Sequence, residues 1–274
     1  MSDAHTPTPP YSHTPALEWF RRHLTEEILP RWLESAVTER GVFLPRLDRQ
    51  WRRLDDQVAT LVSQSRLLHN FAHGWRLTGD TAYRDAVVSG AGFLLDGFRD
   101  PAHGGWVWSV SPEGAVLDAR KETYGHAFVL FGLAHAYGVS GAPEIRDAMA
   151  HTWEVLDTRL RDPRGGFHLR TAPDFTAPAP ERSQNPVMHL FEALLAAGDC
   201  RPQTTDHATR NGAAPASCIL HPASCHPDWP SFHEEAWRVA EFIRGRVRPE
   251  DGLLPETYAG DWQPLPTERG GRID

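Results

Sequence analysis

Cysteine is scarce in this chain of 274 residues. Its three cysteines, Cys200, Cys218 and Cys225, all lie in the last third of the sequence. An odd and small number of cysteines excludes the disulfide framework that stabilises many secreted domains, and it favours a reducing compartment. We therefore expect the protein to reside in the cytoplasm.

Long apolar runs and clusters of basic residues are also missing. No run approaches the roughly 20 apolar residues that cross a bilayer as a helix. The formal net charge of −8, without a Lys/Arg-rich segment, argues against nucleic acid or an anionic membrane as the main partner. Residues 1–15 are rich in Thr and Pro and lack the apolar core of a secretory signal, so we predict a disordered tail there. A small neutral substrate fits this composition better.

The chain contains no run with the strict alternation of a half-buried strand. With 40% hydrophobic residues it can bury a substantial core. Apolar periodicity near 3.6 predicts seven helices, and hence an all-α protein whose globular part covers residues 16–274. The predicted helices cover about residues 16–38, 54–78, 81–98, 118–139, 143–160, 185–198 and 229–247.

Long connections follow the odd-numbered predicted helices and share a weak internal repeat. Each contains a charged turn, a glycine or glycine pair, and an apolar residue, at 39–43, 100–106, 162–167 and 249–253. Gly41, Gly105 and Gly166 are 64 and 61 residues apart, while the step to Gly252 is 86, as an insertion at about 199–228 would produce. Helical hairpins of this kind stack into a solenoid or close into a toroid. The second, fourth and sixth helices would then start together at one mouth.

Polar residues near the starts of those three helices are candidates for a ligand site. The sixth helix carries Asn185, His189 and Glu192, whose spacing of four and then three residues places them on one face. We expect Asn185 to cap this helix, with Pro186 at its first helical position. The alternative for His189 is a hydrogen-bonded core histidine.

The other two helices contribute Arg66 and Tyr124. Arg66 stands inside an apolar pattern, and Tyr124 shares a face with Phe128 and Phe131. The alternative for Arg66 is an arginine whose stem packs in the core and whose charged head reaches water. The alternative for Tyr124 is a core aromatic stripe with a tethered hydroxyl. Convergence of the three groups at one mouth favours a site.

Four segments resemble the N-acylglucosamine 2-epimerase superfamily, which includes mannose isomerase and cellobiose 2-epimerase. The resemblance covers most of residues 16–198 and resumes at 229–274; its most specific piece is the Asn-Pro-x-Met-His-Leu-x-Glu-Ala string at 185–193. It implies an (α/α)6 barrel and interconversion of aldoses with ketoses or C2 epimers, without a metal or redox cofactor. The other segments are 61–72, 104–106 and 121–131.

The same resemblance implies roles for individual residues. Arg66, Tyr124, Asn185 and His189 would line the sugar pocket. Beside the resemblance, His189 is the catalytic candidate because histidine can act as a base near neutral pH. Removal of a C2 proton needs a base and stabilisation of the enediolate oxygen, which suit histidine and arginine. Trp106, with Trp108, would offer a flat face to the sugar ring, or serve as a packing lid. Glu192 and Lys121 would support the pocket from behind.

The chain departs from the family pattern at its C-terminal end. Six hairpins of about 60 residues need about 360, so we expect an incomplete, C-terminally truncated barrel of about seven helices. In the family, two histidines on later segments carry the proton transfer and ring opening, and the histidine matching His189 assists. We therefore expect impaired activity, and association of chains through exposed apolar faces.

Residues 201–228 stand where the family has a short turn. Cys218, His221, Cys225 and His226 match no standard zinc spacing, so we expect a disordered insertion and no metal site. Because this segment joins an even helix to an odd one, it should project away from the mouth.

Two other functional classes stay open. A glycoside hydrolase on a similar helical toroid would need a pair of carboxylates facing the cleft. A non-catalytic remnant would bind sugar with half a site. The favoured prediction is a sugar isomerase or 2-epimerase.

Overall fold

The computed structural model describes residues 15–202, 231–247 and 255–265. Within them the chain is mostly helical, as predicted, and three π-helical segments, His23–Ile28, Leu156–Leu160 and Ile243–Val247, join or extend the helices. The α-helices are α1 (Pro15–Arg22), α2 (Leu29–Ala36), α3 (Leu61–Thr78), α4 (Thr81–Gly97), α5 (Thr123–Ser140), α6 (Pro143–Val155), α7 (Gln184–Asp199) and α8 (Phe232–Phe242).

The helices form two layers. α3, α5 and α7 pack side by side as an inner wall, and α4, α6 and α8 each pack against the inner helix that precedes them. This arrangement is an incomplete helical toroid, which confirms the predicted fold class. No helix among the described residues combines the length and apolar character needed to cross a membrane. The predicted insertion falls mostly on residues 203–230, and the predicted tail mostly on residues 1–14; both lie outside the described residues.

Short connections reverse the chain between α3 and α4 and between α5 and α6. Gly79 and Gly141 end the inner helices with φ values of +71° and +65°, a left-handed conformation that costs glycine little. Asp80 then caps α4 by accepting a hydrogen bond from the Ala82 N–H at 3.0 Å. Pro143 stands in the first turn of α6, where its missing N–H is not needed. These local signals fix the helical hairpins.

The prediction of no strands was wrong. Among the residues that the structure describes, seven strands of two or three residues lie in the long connections, all paired antiparallel. β1 pairs with β2 and β2 with β3, β4 pairs with β5, and β6 with β7. Strands this short leave no alternating pattern in the sequence. They are β1 (Ala59–Thr60), β2 (Ser109–Val110), β3 (Val116–Asp118), β4 (Lys121–Glu122), β5 (Arg170–Thr171), β6 (Arg182–Ser183) and β7 (Thr257–Tyr258).

One strand precedes each inner helix directly. β1, β4 and β6 lead into α3, α5 and α7, so the second and fourth helices start several residues later than predicted. Because each of these strands pairs with a strand of the next long connection, successive repeats are held together at the end where the inner helices begin. The prediction that the long loops collect at one end is therefore confirmed.

A second repeated feature, a five-residue turn, begins five or six residues after each segment of the predicted repeat. Each copy is closed by a hydrogen bond of 2.7–2.9 Å from the N–H of its first residue to the carbonyl of its last. The fourth residue has positive φ in every copy, and three of these four residues are aromatic. The turns are 48–52, 111–115, 172–176 and 259–263, and the fourth residues are Trp51, Gly114, Phe175 and Trp262. The fourth copy supports a fourth repeat, although residues 248–254 lie outside the described part.

The aromatic residues of these turns explain the glycine pairs. A Cβ on Gly105 would lie 3.1 Å from the Phe175 ring, and a Cβ on Gly166 would lie 2.7 Å from the Trp262 ring. The Trp262 indole N–H also donates to the Gly165 carbonyl at 2.8 Å. Each glycine pair therefore leaves room for an aromatic side chain of the following repeat, and successive hairpins interlock.

In two inner helices, the fourth residue has a buried polar side chain that forms hydrogen bonds with the backbone of a glycine turn. In α3, Gln64 accepts a hydrogen bond from the Phe43 N–H at 2.9 Å and donates to two backbone carbonyls. In α5, His126 Nε2 accepts from the Trp106 N–H at 3.2 Å, while Nδ1 donates to the Glu122 carbonyl at 2.8 Å. Because both side chains are fully buried, each satisfies backbone groups that water cannot reach.

His126 makes the stability of the fold dependent on pH. Burial lowers the pKa of His126 from 6.5 to about 3, so the folded protein keeps it neutral while the unfolded chain takes up a proton near pH 6.5. Its contribution to stability is complete above pH 6.5 and falls as pH drops, by about 1.4 kcal/mol per pH unit, until about pH 3.

Glutamine at position 126 would reproduce the arrangement of Gln64 without a titrating group. We expect His126→Gln to reduce the loss of unfolding free energy between pH 7 and pH 5 by about 2 kcal/mol, measured by urea denaturation at both values. His233→Gln, on the exposed surface of α8, is the matched control and should not reproduce the effect of His126→Gln. An identical loss in wild type and His126→Gln would contradict this assignment.

Candidate functional site

Three side chains at equivalent positions of the inner helices form the centre of the candidate site. Arg66, Phe128 and His189 are each the sixth residue of their helix. The Arg66 Cζ lies 4.4 Å from the centre of the Phe128 ring, and the His189 ring centre lies 4.7 Å from it on the neighbouring helix. A cation, an aromatic ring and an imidazole therefore adjoin across three helices.

Tyr124 joins this group from the first turn of α5. Its ring centre is 4.9 Å from that of Phe128 and 5.3 Å from that of His189, with the Tyr124 and His189 planes nearly perpendicular. Arg66 is exposed, whereas Tyr124 and His189 are partly buried. The predicted convergence of Arg66, Tyr124 and His189 is confirmed, and the cluster retains access to solvent.

Glu192 determines which ring nitrogen of His189 carries the proton. His189 Nδ1 lies 3.0 Å from Glu192 Oε2 on the next turn of α7. An ionised carboxylate only accepts hydrogen bonds, so Nδ1 carries the hydrogen and Nε2 keeps its lone pair. The side chain of His189 is 16% exposed and that of Glu192 56% exposed. This pair presents an oriented imidazole that can accept a proton through Nε2.

Asn185 lies one turn before His189. Its Oδ1 is buried and has no hydrogen-bond partner among the described residues. A buried acceptor without a partner is costly, and a ligand hydroxyl at this position would satisfy it. The predicted capping role of Asn185 was wrong, because the helix starts at Gln184 and the Ser183 hydroxyl accepts from the Asn185 N–H at 3.2 Å. The Asn185 side chain is therefore not used by the cap.

Trp106 does not lie at the site. It is 0% exposed, and its indole N–H donates to the Thr152 hydroxyl of α6 at 3.0 Å. The predicted sugar-facing role of Trp106 was wrong, because the residue follows the Gly104-Gly105 turn and its ring points into the core between helices. Trp108 is half-buried, with the Arg120 Cζ 4.8 Å from its ring centre. Trp108 is the tryptophan of this pair that stays near the mouth.

Lys121 is fully buried in an ion pair. Its Nζ donates to Asp100 Oδ2 at 2.6 Å, and Asp100 Oδ1 accepts from the Ala102 and His103 N–H groups. Burial alone would raise the pKa of Asp100, but Lys121 and these N–H groups hold it below its ordinary value. The next repeat contains the same device, with Arg182 Nε 2.7 Å from Asp162 Oδ2. Lys121 thus anchors the loop behind the start of α5.

Two features of the site went unrecognised in the sequence. Phe128 was assigned to an aromatic stripe, yet it lies between Arg66 and His189. Phe128 follows Arg66 by 62 residues and precedes His189 by 61, so the repeat period would have placed the three at equivalent positions. Glu256 accepts hydrogen bonds from the Ser183 hydroxyl at 2.8 Å and the Gln184 side-chain amide at 3.1 Å. No local motif marks Glu256, since its role depends on the pairing of β6 with β7.

Comparison with known proteins identifies the family. Residues 41–221 match the family model for N-acylglucosamine 2-epimerase (GlcNAc 2-epimerase). The chain belongs to the N-acylglucosamine 2-epimerase family. The matched residues include the glycines of the first three predicted glycine turns and all three inner helices, so family membership and these three repeats rest on the same part of the chain.

Relatives in this family include proteins with isomerase and epimerase names. A D-mannose isomerase from Thermobifida fusca is 34% identical over 195 residues, covering 70% of this chain and 40% of that relative. A cellobiose 2-epimerase from Bacteroides fragilis is 30% identical over 125 residues, covering 45% of this chain and 32% of that relative. The chain thus spans less than half the length of these two relatives.

A solved structure supports the fold. The cellobiose 2-epimerase from Spirochaeta thermophila superposes with a TM-score of 0.76 at 24% identity. The alignment covers 93% of this chain and 61% of that protein. The inner and outer helices described here therefore have the arrangement of an N-acylglucosamine 2-epimerase family fold, over part of its length.

Proposed function

We propose that this protein is a sugar isomerase or 2-epimerase that moves a proton at C2 of an aldose through an enediolate. The observation that supports the proposal is the convergence of Arg66, Tyr124 and the His189–Glu192 pair around Phe128. Family membership agrees with it. Because the chain spans only part of its relatives, the activity is our inference.

Each group has a chemical task in this proposal. In this chain we assign to His189 the proton transfer that histidines of later segments carry in the family. Its Nε2 accepts the C2 proton of the open-chain sugar, and the Glu192 carboxylate stabilises the resulting imidazolium. The Arg66 guanidinium stabilises the negative charge that develops on the enediolate oxygen. The Tyr124 hydroxyl and Asn185 Oδ1 bind sugar hydroxyls. Return of the proton to C2 on the opposite face, after rotation about the C2–C3 bond, gives the epimer. Its delivery to C1, with transfer of the hydroxyl proton from O2 to O1, gives the ketose.

A glycoside hydrolase is not favoured. That reaction needs two carboxyl groups on either side of the scissile bond. Near the site, Glu192 is engaged with His189 and Glu256 with Ser183 and Gln184. A non-catalytic sugar-binding protein differs from the enzyme only in proton transfer, and the experiment below separates the two.

The test follows the C2 proton of the sugar in deuterated water by NMR. Mannose, glucose, fructose, N-acylglucosamine and cellobiose are incubated separately with the folded protein. Fructose has no proton on C2, so its C1 protons are followed instead. We expect at least one sugar to lose this proton signal at a rate proportional to protein concentration. Sugar binding without exchange would identify a binding protein, and neither binding nor exchange with any of them would reject the proposed function.

The partner and compartment are part of the same proposal. A formal net charge of −8 suits a neutral sugar better than nucleic acid or a membrane surface. We place the reaction in the cytoplasm, consistent with the free, partly buried thiol of Cys200. Phe20 and Trp237 are 63% and 65% exposed. Because exposed apolar side chains favour association, they support the prediction of a homo-oligomer.

A further inference from the structure

Three histidines of the inner wall lie together below the candidate site. His69 and His73 are on α3, and His135 is on α5. One potential ligand atom from each lies within 4.8 Å of the other two. The ring centres of His69 and His135 are 4.4 Å apart, and those of His73 and His135 are 5.2 Å apart. Among the residues that the structure describes, this is the group with metal-ligand spacing.

The geometry is that of a three-histidine metal site built on two helices. Histidines four residues apart occupy one helix face and can bind the same ion, as in zinc-binding helices. Tetrahedral zinc with His nitrogens at 2.0–2.1 Å needs nitrogen–nitrogen distances of about 3.3 Å, so small side-chain rotations would close the site. Each imidazole is partly buried and so keeps an approach from solvent.

Hydrogen bonding prepares two of the rings for an ion. His73 Nδ1 lies 3.1 Å from the His69 carbonyl, which can only accept, so Nδ1 carries the hydrogen and Nε2 has the free lone pair. Metal-bound histidines commonly donate their other N–H to such a carbonyl. His69 Nδ1 is buried and has no hydrogen-bond partner among the described residues. His69 and His73 therefore offer ring nitrogens that their surroundings leave unused, whereas His135 Nδ1 accepts from Arg76 Nη1 at 3.3 Å and must be released by it to bind an ion through that atom.

The imidazoles are also neutral at physiological pH. Burial, together with the neighbouring His73 and Arg76, lowers the pKa of His69 to about 4, against a smaller opposing effect of Glu192. Burial, with His69, Arg76 and His73, lowers the pKa of His135 to about 3. A metal binds the neutral ring, so no proton must be displaced. Arg76 opposes a cation, since its Nη1 lies 3.3 Å from His135 Nδ1.

We propose that His69, His73 and His135 bind one divalent transition-metal ion of the zinc type, with an open fourth position for water. An ion at this site would link α3 to α5 about one to two turns below Arg66, and so stabilise the packing of these two inner helices. The three proposed ligands are different residues from those proposed to act on the sugar, and His69 is close enough to Glu192 to interact with its charge. Its existence does not depend on the proposed isomerase activity.

The test is titration of the folded, tag-free protein with Zn²⁺ alone, by calorimetry and with a competing chelator. We expect one zinc per chain at this site. His73→Gln and His135→Gln should each weaken binding by about tenfold or more, whereas His151→Gln on α6 should not. Arg76→Gln should tighten binding because it removes the competing charge, a gain that a misfolded variant would not show. Circular dichroism melting curves confirm that each variant is folded.

Two further measurements decide the assignment. Co²⁺ at the site should give the visible absorption of a tetrahedral ion, and His73→Gln should remove it. The double variant Cys218→Ser and Cys225→Ser should keep the wild-type affinity for zinc. Zinc binding that is abolished by this double variant, or unchanged by His73→Gln and His135→Gln, would overturn the proposal. So would the absence of saturable binding.

Discussion

Replacement of His189 by glutamine is expected to slow exchange of the sugar C2 proton by a factor of about 10² to 10⁴. Glutamine keeps the size and polarity of the side chain but cannot take up a proton. The structure places the His189 ring beside Phe128 and Tyr124 with Nδ1 held by Glu192, so the substitution removes the oriented proton acceptor. The measurement is the rate of C2 proton loss in deuterated water for the sugar that reacts fastest.

The controls separate chemistry from binding and folding. Because a base acts mainly in the transition state, His189→Gln should lower kcat with a smaller change in KM. Glu192→Gln should give an intermediate loss, since it keeps the imidazole but weakens its orientation. His151→Gln, on the outer helix α6, should leave the rate unchanged. A His189→Gln protein that binds sugar and exchanges its proton at the wild-type rate would refute the role of His189.

The second large effect is expected from Lys121→Met, which should lower the free energy of unfolding by about 3–5 kcal/mol. Lys121 is fully buried, and it pairs at 2.6 Å with an Asp100 side chain that is 9% exposed. Methionine fills much of the space but leaves the Asp100 carboxylate without its counter-charge in the core. The two backbone N–H groups that also bind Asp100 compensate only part of this loss. Urea denaturation at pH 7 measures the difference.

A surface ion pair provides the matched control. Arg146 pairs with Asp147 at 2.9 Å, with side chains 32% and 69% exposed, so Arg146→Met should cost about 0–1 kcal/mol. Adding Asp100→Asn to Lys121→Met should recover part of the stability, because a neutral amide oxygen still accepts from the loop N–H groups. A Lys121→Met protein within 1 kcal/mol of wild type would show that water reaches Asp100 despite its burial.

The helices and the repeat were predictable because they depend on local and periodic signals. Apolar periodicity placed α4 and α6 at their observed starts, directly after the helices that end at Gly79 and Gly141. The alternation of long and short connections predicted which helices begin together. The strands were missed because two or three residues carry no period, and their partners lie in other repeats.

The candidate site was predictable only in part. Arg66, Tyr124 and His189 stood out because each is polar within an apolar helix, and they do adjoin in the structure. Trp106 was misplaced because sequence cannot show whether an aromatic residue after a glycine turn faces the mouth or the core. In the structure its indole bonds to Thr152 of the outer layer, which fixes it inward. Asn185 was assigned to the wrong capping position, which hid its unpaired side-chain oxygen.

Sequence by itself determined the all-α class, the hairpin repeat and the three polar positions on the inner helices, because helix periodicity and repeat spacing are properties of the linear chain. Tertiary structure alone decided what those positions contact. It placed Phe128 between Arg66 and His189, gave Glu192 to His189, buried Lys121 with Asp100 and gathered His69, His73 and His135. The reason is physical, since a contact between helices depends on the register at which neighbouring hairpins pack, and only their packed side chains determine that register.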